Sequence, residues 1–92
     1  MAKYTLNQIK EKFCGLENEP ELTLYLNNKE YMIIFYKNKC SFQRCGGYND
    51  RSGEYYYNSI DELYVTETVD GILLKRDWVN ITCFHCEGYE DL

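Results

Sequence analysis

Leu6, Ile9 and Phe13 recur at helical spacing near the start of the chain, and Thr5 stands three residues before Gln8. That spacing is a capping box: the threonine hydroxyl serves the amide three residues on, and the glutamine reaches back. Lys10 and Lys12 fall toward the negative end of this helix and Gly15 suits its C-terminal cap. A polar link from Glu17 to Glu21, interrupted by Pro20, follows. Alternation then takes over. Leu22, Leu24 and Leu26 are separated by Thr23 and Tyr25, the period of a strand with one buried face. Asn27-Asn28-Lys29-Glu30 is turn chemistry, residues 31–36 (Tyr-Met-Ile-Ile-Phe-Tyr) predict a second strand, and Lys37-Asn38-Lys39 marks another tight turn. Residues 40–45 predict a third strand with Cys40 and Phe42 on one face.

Residues 46–53 (Gly-Gly-Tyr-Asn-Asp-Arg-Ser-Gly) read as a long flexible loop, and residues 54–57 as a short fourth strand. Ser59 followed by Glu62 offers a second capping box, with Ile60, Leu63 and Tyr64 facing inward. The next segment has two readings. Asp70-Gly71 is a hairpin signal that would join residues 65–69 to residues 72–75. Leu74, Trp78 and Ile81 instead form a helical stripe, which spans more residues and is preferred over 72–81. Residues 82–86 close the pattern as a strand, and residues 87–92 read as a frayed tail. The sum is an α+β fold. A small antiparallel sheet of three to five strands packs against two or three short helices as a two-layer sandwich, in a single domain over residues 1–92.

Composition adds the surface. The apolar share, 45% of residues, is that of a globular chain. Ten tyrosines stand against four phenylalanines, so several rings are expected at the surface, where tyrosine is a typical interface residue. The net charge is −5, the wrong sign for binding a nucleic-acid duplex or an anionic membrane. Acids gather at Glu17, Glu19 and Glu21, at Asp61 and Glu62, and at Glu87, Glu90 and Asp91. The residues after Met1 lack an apolar core of signal-peptide length, and no stretch approaches a membrane span. A cytoplasmic protein is expected, with reduced thiols. The five cysteines agree, because an odd count cannot close into intramolecular pairs alone.

Among candidate chemistries, metal binding is the sharpest. Cys83 and Cys86 form a Cys-x2-Cys pair, and Cys40 and Cys45 a Cys-x4-Cys pair; together they could supply four thiolates to a zinc ion. The competing reading makes them small buried hydrophobes, and no cofactor is then needed. A dithiol redox role for Cys83-Phe-His-Cys86 lacks the helix that would activate its nucleophile. His85, the sole histidine, lies too close in an extended chain to pair with Cys83 or Cys86 as a base. Phosphate-loop and dinucleotide signatures are absent. Trp78 sits on the helical stripe and reads as core. The remaining candidate is a tyrosine and acid surface built from Tyr48, Tyr55, Tyr57 and Tyr89, with Tyr56, Asp50, Glu54, Glu87, Glu90 and Asp91 near them along the chain, suited to a basic patch on another protein.

Two stretches also carry a resemblance. They are Met32-Ile-Ile-Phe-Tyr with Phe42-Gln-Arg-Cys, and Ser59-Ile-Asp-Glu-Leu leading to the segment from Val69 to Ile81. Over about half the chain they resemble small uncharacterised proteins of Gram-positive bacteria and their phages. The resemblance implies a bacterial or mobile-element setting, host-inhibitor roles of the anti-CRISPR kind included, and assigns no catalytic residue. The expectation is a non-enzymatic interaction or regulatory protein that binds a protein partner. The alternatives are a small zinc module on Cys40, Cys45, Cys83 and Cys86, and an enzyme whose acids the sequence does not single out.

Overall fold

The computed structural model describes residues 4–89. Its first element, α1 (Leu6–Phe13), is capped as the sequence requires: Thr5 Oγ accepts from the Gln8 amide, and Gln8 Oε1 accepts from the Thr5 amide at 2.8 Å. Ile9 and Phe13 are the buried residues of its inner face. The strands β1 (Glu21–Leu26) and β2 (Lys29–Phe35) form a hairpin around Asn27-Asn28. Both asparagines have positive φ (54° and 64°), the geometry that a two-residue turn between twisted strands demands. Next come β3 (Cys40–Arg44), β4 (Tyr55–Tyr57), α2 (Ile60–Val65), α3 (Leu74–Asp77) and β5 (Cys83–His85).

The five strands form one antiparallel sheet in the order β4-β3-β2-β1-β5. Strand alternation sends Leu22, Leu24 and Leu26 of β1, Tyr31, Ile33 and Phe35 of β2, Cys40 and Phe42 of β3, and Phe84 of β5 to one side. There they meet Ile9, Phe13, Ile60, Leu63, Leu74 and Trp78 from the helices, and together they are the core. Phe13 stacks on Phe35 at 5.5 Å, and Tyr31 on Phe42 at 5.5 Å. This is the two-layer α+β sandwich expected from the hydrophobic pattern.

The segment after α2 takes neither sequence reading whole. Residues Val69–Gly71 form a single 3-10 turn, with Asp70 at φ 60°, and a lone bridge between Glu67 and Leu73 is all that exists of a hairpin. The helix is one turn of α3 followed by a 3-10 turn over Trp78–Asn80. Leu74, Trp78 and Ile81 are nonetheless all buried, so the stripe located the core while misjudging the helix length. Trp78 is satisfied there: its indole N–H donates to the Tyr4 carbonyl at 2.6 Å, and its ring meets Tyr64 and Phe84.

Three smaller expectations change as well. Ser59 caps α2 by accepting from the Glu62 amide at 3.1 Å, but Glu62 reaches the Asn58 amide rather than that of Ser59, so the second box is not closed. The glycine loop is tied to β3: Ser52 Oγ accepts from the Arg44 amide at 2.7 Å, and the Ser52 amide returns to the Arg44 carbonyl at 3.1 Å. Residues 87–89 are folded rather than frayed, since the Tyr89 ring packs on Phe13 at 5.1 Å. The rest of the expected tail, with Glu90 and Asp91, lies outside the described residues.

Candidate functional site

The second face of the sheet carries no described helix. Across it run the rows Glu21–Ile34–Ser41–Tyr56, then His85–Thr23–Met32–Gln43, then Cys83–Tyr25–Glu30. Met32 and Ile34, half-buried, form its apolar centre. Around them stand three tyrosines, because Tyr36 continues the parity of Met32 and Ile34 beyond the end of β2. None of the strand positions on this face is Lys or Arg. The face therefore joins aromatic rings to the carboxylates of Glu21, Glu30 and Glu54.

Glu54 is its organising group. Its Oε2 accepts from the Tyr36 hydroxyl at 2.5 Å and from Ser41 Oγ at 2.6 Å, and its Oε1 accepts from the Tyr56 hydroxyl at 2.9 Å. Ser41, fully buried beneath this group, is the donor that a strand interior needs satisfied. The donors hold the carboxyl below its ordinary range: the bonds from Ser41 and then Tyr36 outweigh burial, and Tyr56 and the charge of Lys39 add to them. In return the bond to Glu54, helped by burial, pushes the Tyr36 hydroxyl up to about 12. The carboxylate stays ionised and the phenols neutral, so two rings are fixed on a charged base.

The opposite end of the face is acidic too. A hollow of about 350 Å³ is lined by Asn18, Glu19, Glu21, Met32, His85 and Glu87 among others. The charge of Glu30 raises the Tyr25 hydroxyl, and burial followed by the same charge raises the Cys45 thiol.

The tyrosines singled out from the sequence divide. Tyr48, 84% exposed, stands on the glycine loop. Tyr55 and Tyr57 share the helix side of β4, where Tyr57 packs on the core and Tyr55 stays exposed. Tyr89 is used structurally, between Phe13 and a hydrogen bond from Asn18 at 3.3 Å. The four do not form one patch. Sequence reasoning reached Glu54 and Tyr56 only as neighbours of the other tyrosines along the chain, and it missed Tyr36, Lys39 and Ser41. Parity alone separates Tyr56 from Tyr55 and Tyr57, but only the register Ser41↔Tyr56 puts it beside Tyr36.

The cysteines divide in the same way. Cys40 and Cys86 are buried on the helix side, whereas Cys83 is exposed on the open face and Cys45 follows the open-face parity of Ser41 and Gln43. The sheet thus stands between the two halves of the expected zinc set. Among the described residues, no group of three or more His, Cys, Asp or Glu side chains is placed to hold a metal ion. Burial raises the thiols of Cys14, Cys40, Cys45 and Cys86, that of Cys40 to about 12, which is the reverse of an activated thiolate.

No protein-family model matches the chain, and no curated protein or solved structure matches it at a significant level. No helix among the described residues is long and apolar enough to cross a membrane. What the chain does must therefore be argued from this surface.

Proposed function

We propose that the chain is a non-enzymatic protein-binding domain, and that it receives a basic partner on the open face of its sheet. The Glu54 group carries this reading: one carboxylate accepting from Tyr36, Ser41 and Tyr56 spends a buried donor and two phenols on fixing the half-buried Tyr36 ring and the exposed Tyr56 ring. Pre-fixed tyrosines lose little freedom on association, and they are the commonest hot-spot residues together with Trp and Arg. The apolar centre of Met32 and Ile34 with an acidic rim has the anatomy of an interface core and border. A rim of Glu21, Glu30 and Glu54, with no Lys or Arg among the strand positions of this face, favours a positively charged partner and speeds its approach. The same carboxylate is poorly suited to catalysis, since a base held below its usual range takes protons weakly near neutral pH. The resemblance to small bacterial and phage proteins supplies the setting, with a host protein as the partner.

The test is affinity capture from bacterial lysate at low and high salt. Wild-type chain should be compared with Met32→Lys and Tyr56→Lys on the open face and with Lys75→Glu in the helix layer. A basic protein retained by wild type and by Lys75→Glu, lost with both open-face variants and released by salt, is the expected result. Retention that is indifferent to Met32→Lys and Tyr56→Lys would remove the face from consideration.

A further inference from the structure

The Lys39 ammonium lies 4.3 Å from the centroid of the Tyr56 ring and 5.4 Å from that of Tyr36. The two rings stand 6.1 Å apart with a 41° tilt, so they open as a wedge instead of closing as a stack. Both phenols end on Glu54, which is fixed by three donors. Two ring faces present negative charge density, and the carboxylate behind them supplies a full charge. Together they suit an organic cation.

Lys39 is a loose occupant of this wedge. It is exposed on the hairpin between β2 and β3 and reaches the rings on a flexible four-carbon stem. We propose that Tyr36, Tyr56 and Glu54 form a binding site for a lysine or arginine side chain of the basic partner, held in the free protein by Lys39. This inference rests on the open face being the protein-binding surface, and it names the contact that such a partner makes. A docked partner excludes water from the wedge, which strengthens the attraction between ring and cation. The bound cation thereby gains over Lys39, whose own contact is made in solvent. Lys39 also covers the exposed Tyr56 ring and the half-buried Tyr36 ring until the partner arrives.

The probes are Nα-acetyl-lysine methylamide, Nα-acetyl-arginine methylamide and the uncharged Nα-acetyl-norleucine methylamide, titrated while ring-proton NMR follows Tyr36 and Tyr56. The two cationic probes should shift both rings saturably and the norleucine probe should not. Lys39→Ala should bind the cations roughly two- to fivefold more tightly, the worth of one exposed cation–π contact. Tyr56→Leu should abolish the response while its unfolding midpoint shows that the domain still folds. Equal shifts from the norleucine probe, or no gain in Lys39→Ala, would overturn the proposal. If the cations fail while partner capture still depends on Met32, the wedge is wrong and the face stands. If the cations bind but capture ignores every open-face variant, the reading on which the inference rests fails instead.

Discussion

The guanidinium of Arg44 and the carboxylate of Asp70 meet at 2.5 Å although 26 residues separate them along the chain. The Tyr31 hydroxyl donates to the other oxygen of Asp70 at 2.8 Å, so this one side chain ties the turn before α3 to two strands. Burial raises the Asp70 carboxyl, but the bonds from Arg44 and Tyr31 outweigh it and leave it below its ordinary value. The Asp-Gly pair has been diverted from making a hairpin to making this anchor.

Asp70 acts in two ways, through its backbone and through its side chain. Asn tolerates the positive φ of 60° and keeps an acceptor for Tyr31, whereas Ala has neither property. Asp70→Ala should therefore be less stable than Asp70→Asn by about 1–2 kcal/mol, since Ala loses both the local polar contact that eases a left-handed residue and the acceptor for Tyr31. Urea unfolding of the two variants measures the difference, and equal midpoints would mean that neither the left-handed backbone nor the Tyr31 bond weighs on stability there.

The Glu54 group predicts losses of stability at both ends of the pH scale. Its carboxyl lies lower in the folded than in the unfolded chain, so its contribution is complete above the ordinary value of about 4.3. That contribution fades as the pH falls through the lower folded value. Tyr36 is raised to about 12, so its part is complete below the ordinary value of about 10 and fades as the pH rises toward 12. Glu54→Gln should flatten both limbs relative to wild type. Urea midpoints for the two proteins between pH 3 and pH 11 give the comparison, and parallel curves would contradict it.

Thiol reactivity reads out the division of the cysteines by the sheet. Cys14 and Cys83 are exposed and should react with an aromatic disulfide reagent in the native state, Cys45 more slowly. Cys40 and Cys86 should be modified only on unfolding, since both are buried and burial raises both thiols. Mass spectrometry of the partly labelled protein assigns the sites. A chelator should leave this order and the melting temperature unchanged; protection of Cys83 together with Cys45 that the chelator releases would revive the metal reading.

Phe13 joins the helix layer to the sheet through its contacts with Phe35 and Tyr89. Phe13→Ala should cost about 3–5 kcal/mol, a large fraction of the stability of a domain of this size. Near-ultraviolet circular dichroism would show the loss of ordered aromatic packing. Lowering the temperature should not restore it fully, because hydrophobic stabilisation weakens on cooling.

Local chemistry and period were enough to place most elements from the sequence. The Thr5 and Gln8 box, the Asn27-Asn28 turn and the alternation of Leu22, Leu24 and Leu26 act within a few residues, so the chain writes them in readable form. The buried stripe of Leu74, Trp78 and Ile81 was legible for the same reason. Its helix was not, because the turn that precedes α3 is held by Asp70 against Arg44 and Tyr31, partners that spacing along the chain does not reveal. Tyrosine abundance was likewise visible, but its division was not. Strand register alone moved Tyr56 beside Tyr36, gave both to Glu54, and left Tyr57 to the core side. The same register separated Cys40 and Cys86 from Cys83. The sequence by itself determined which residues are apolar and with what period; which face each ring and thiol joins is a long-range pairing, decided only when the strands align.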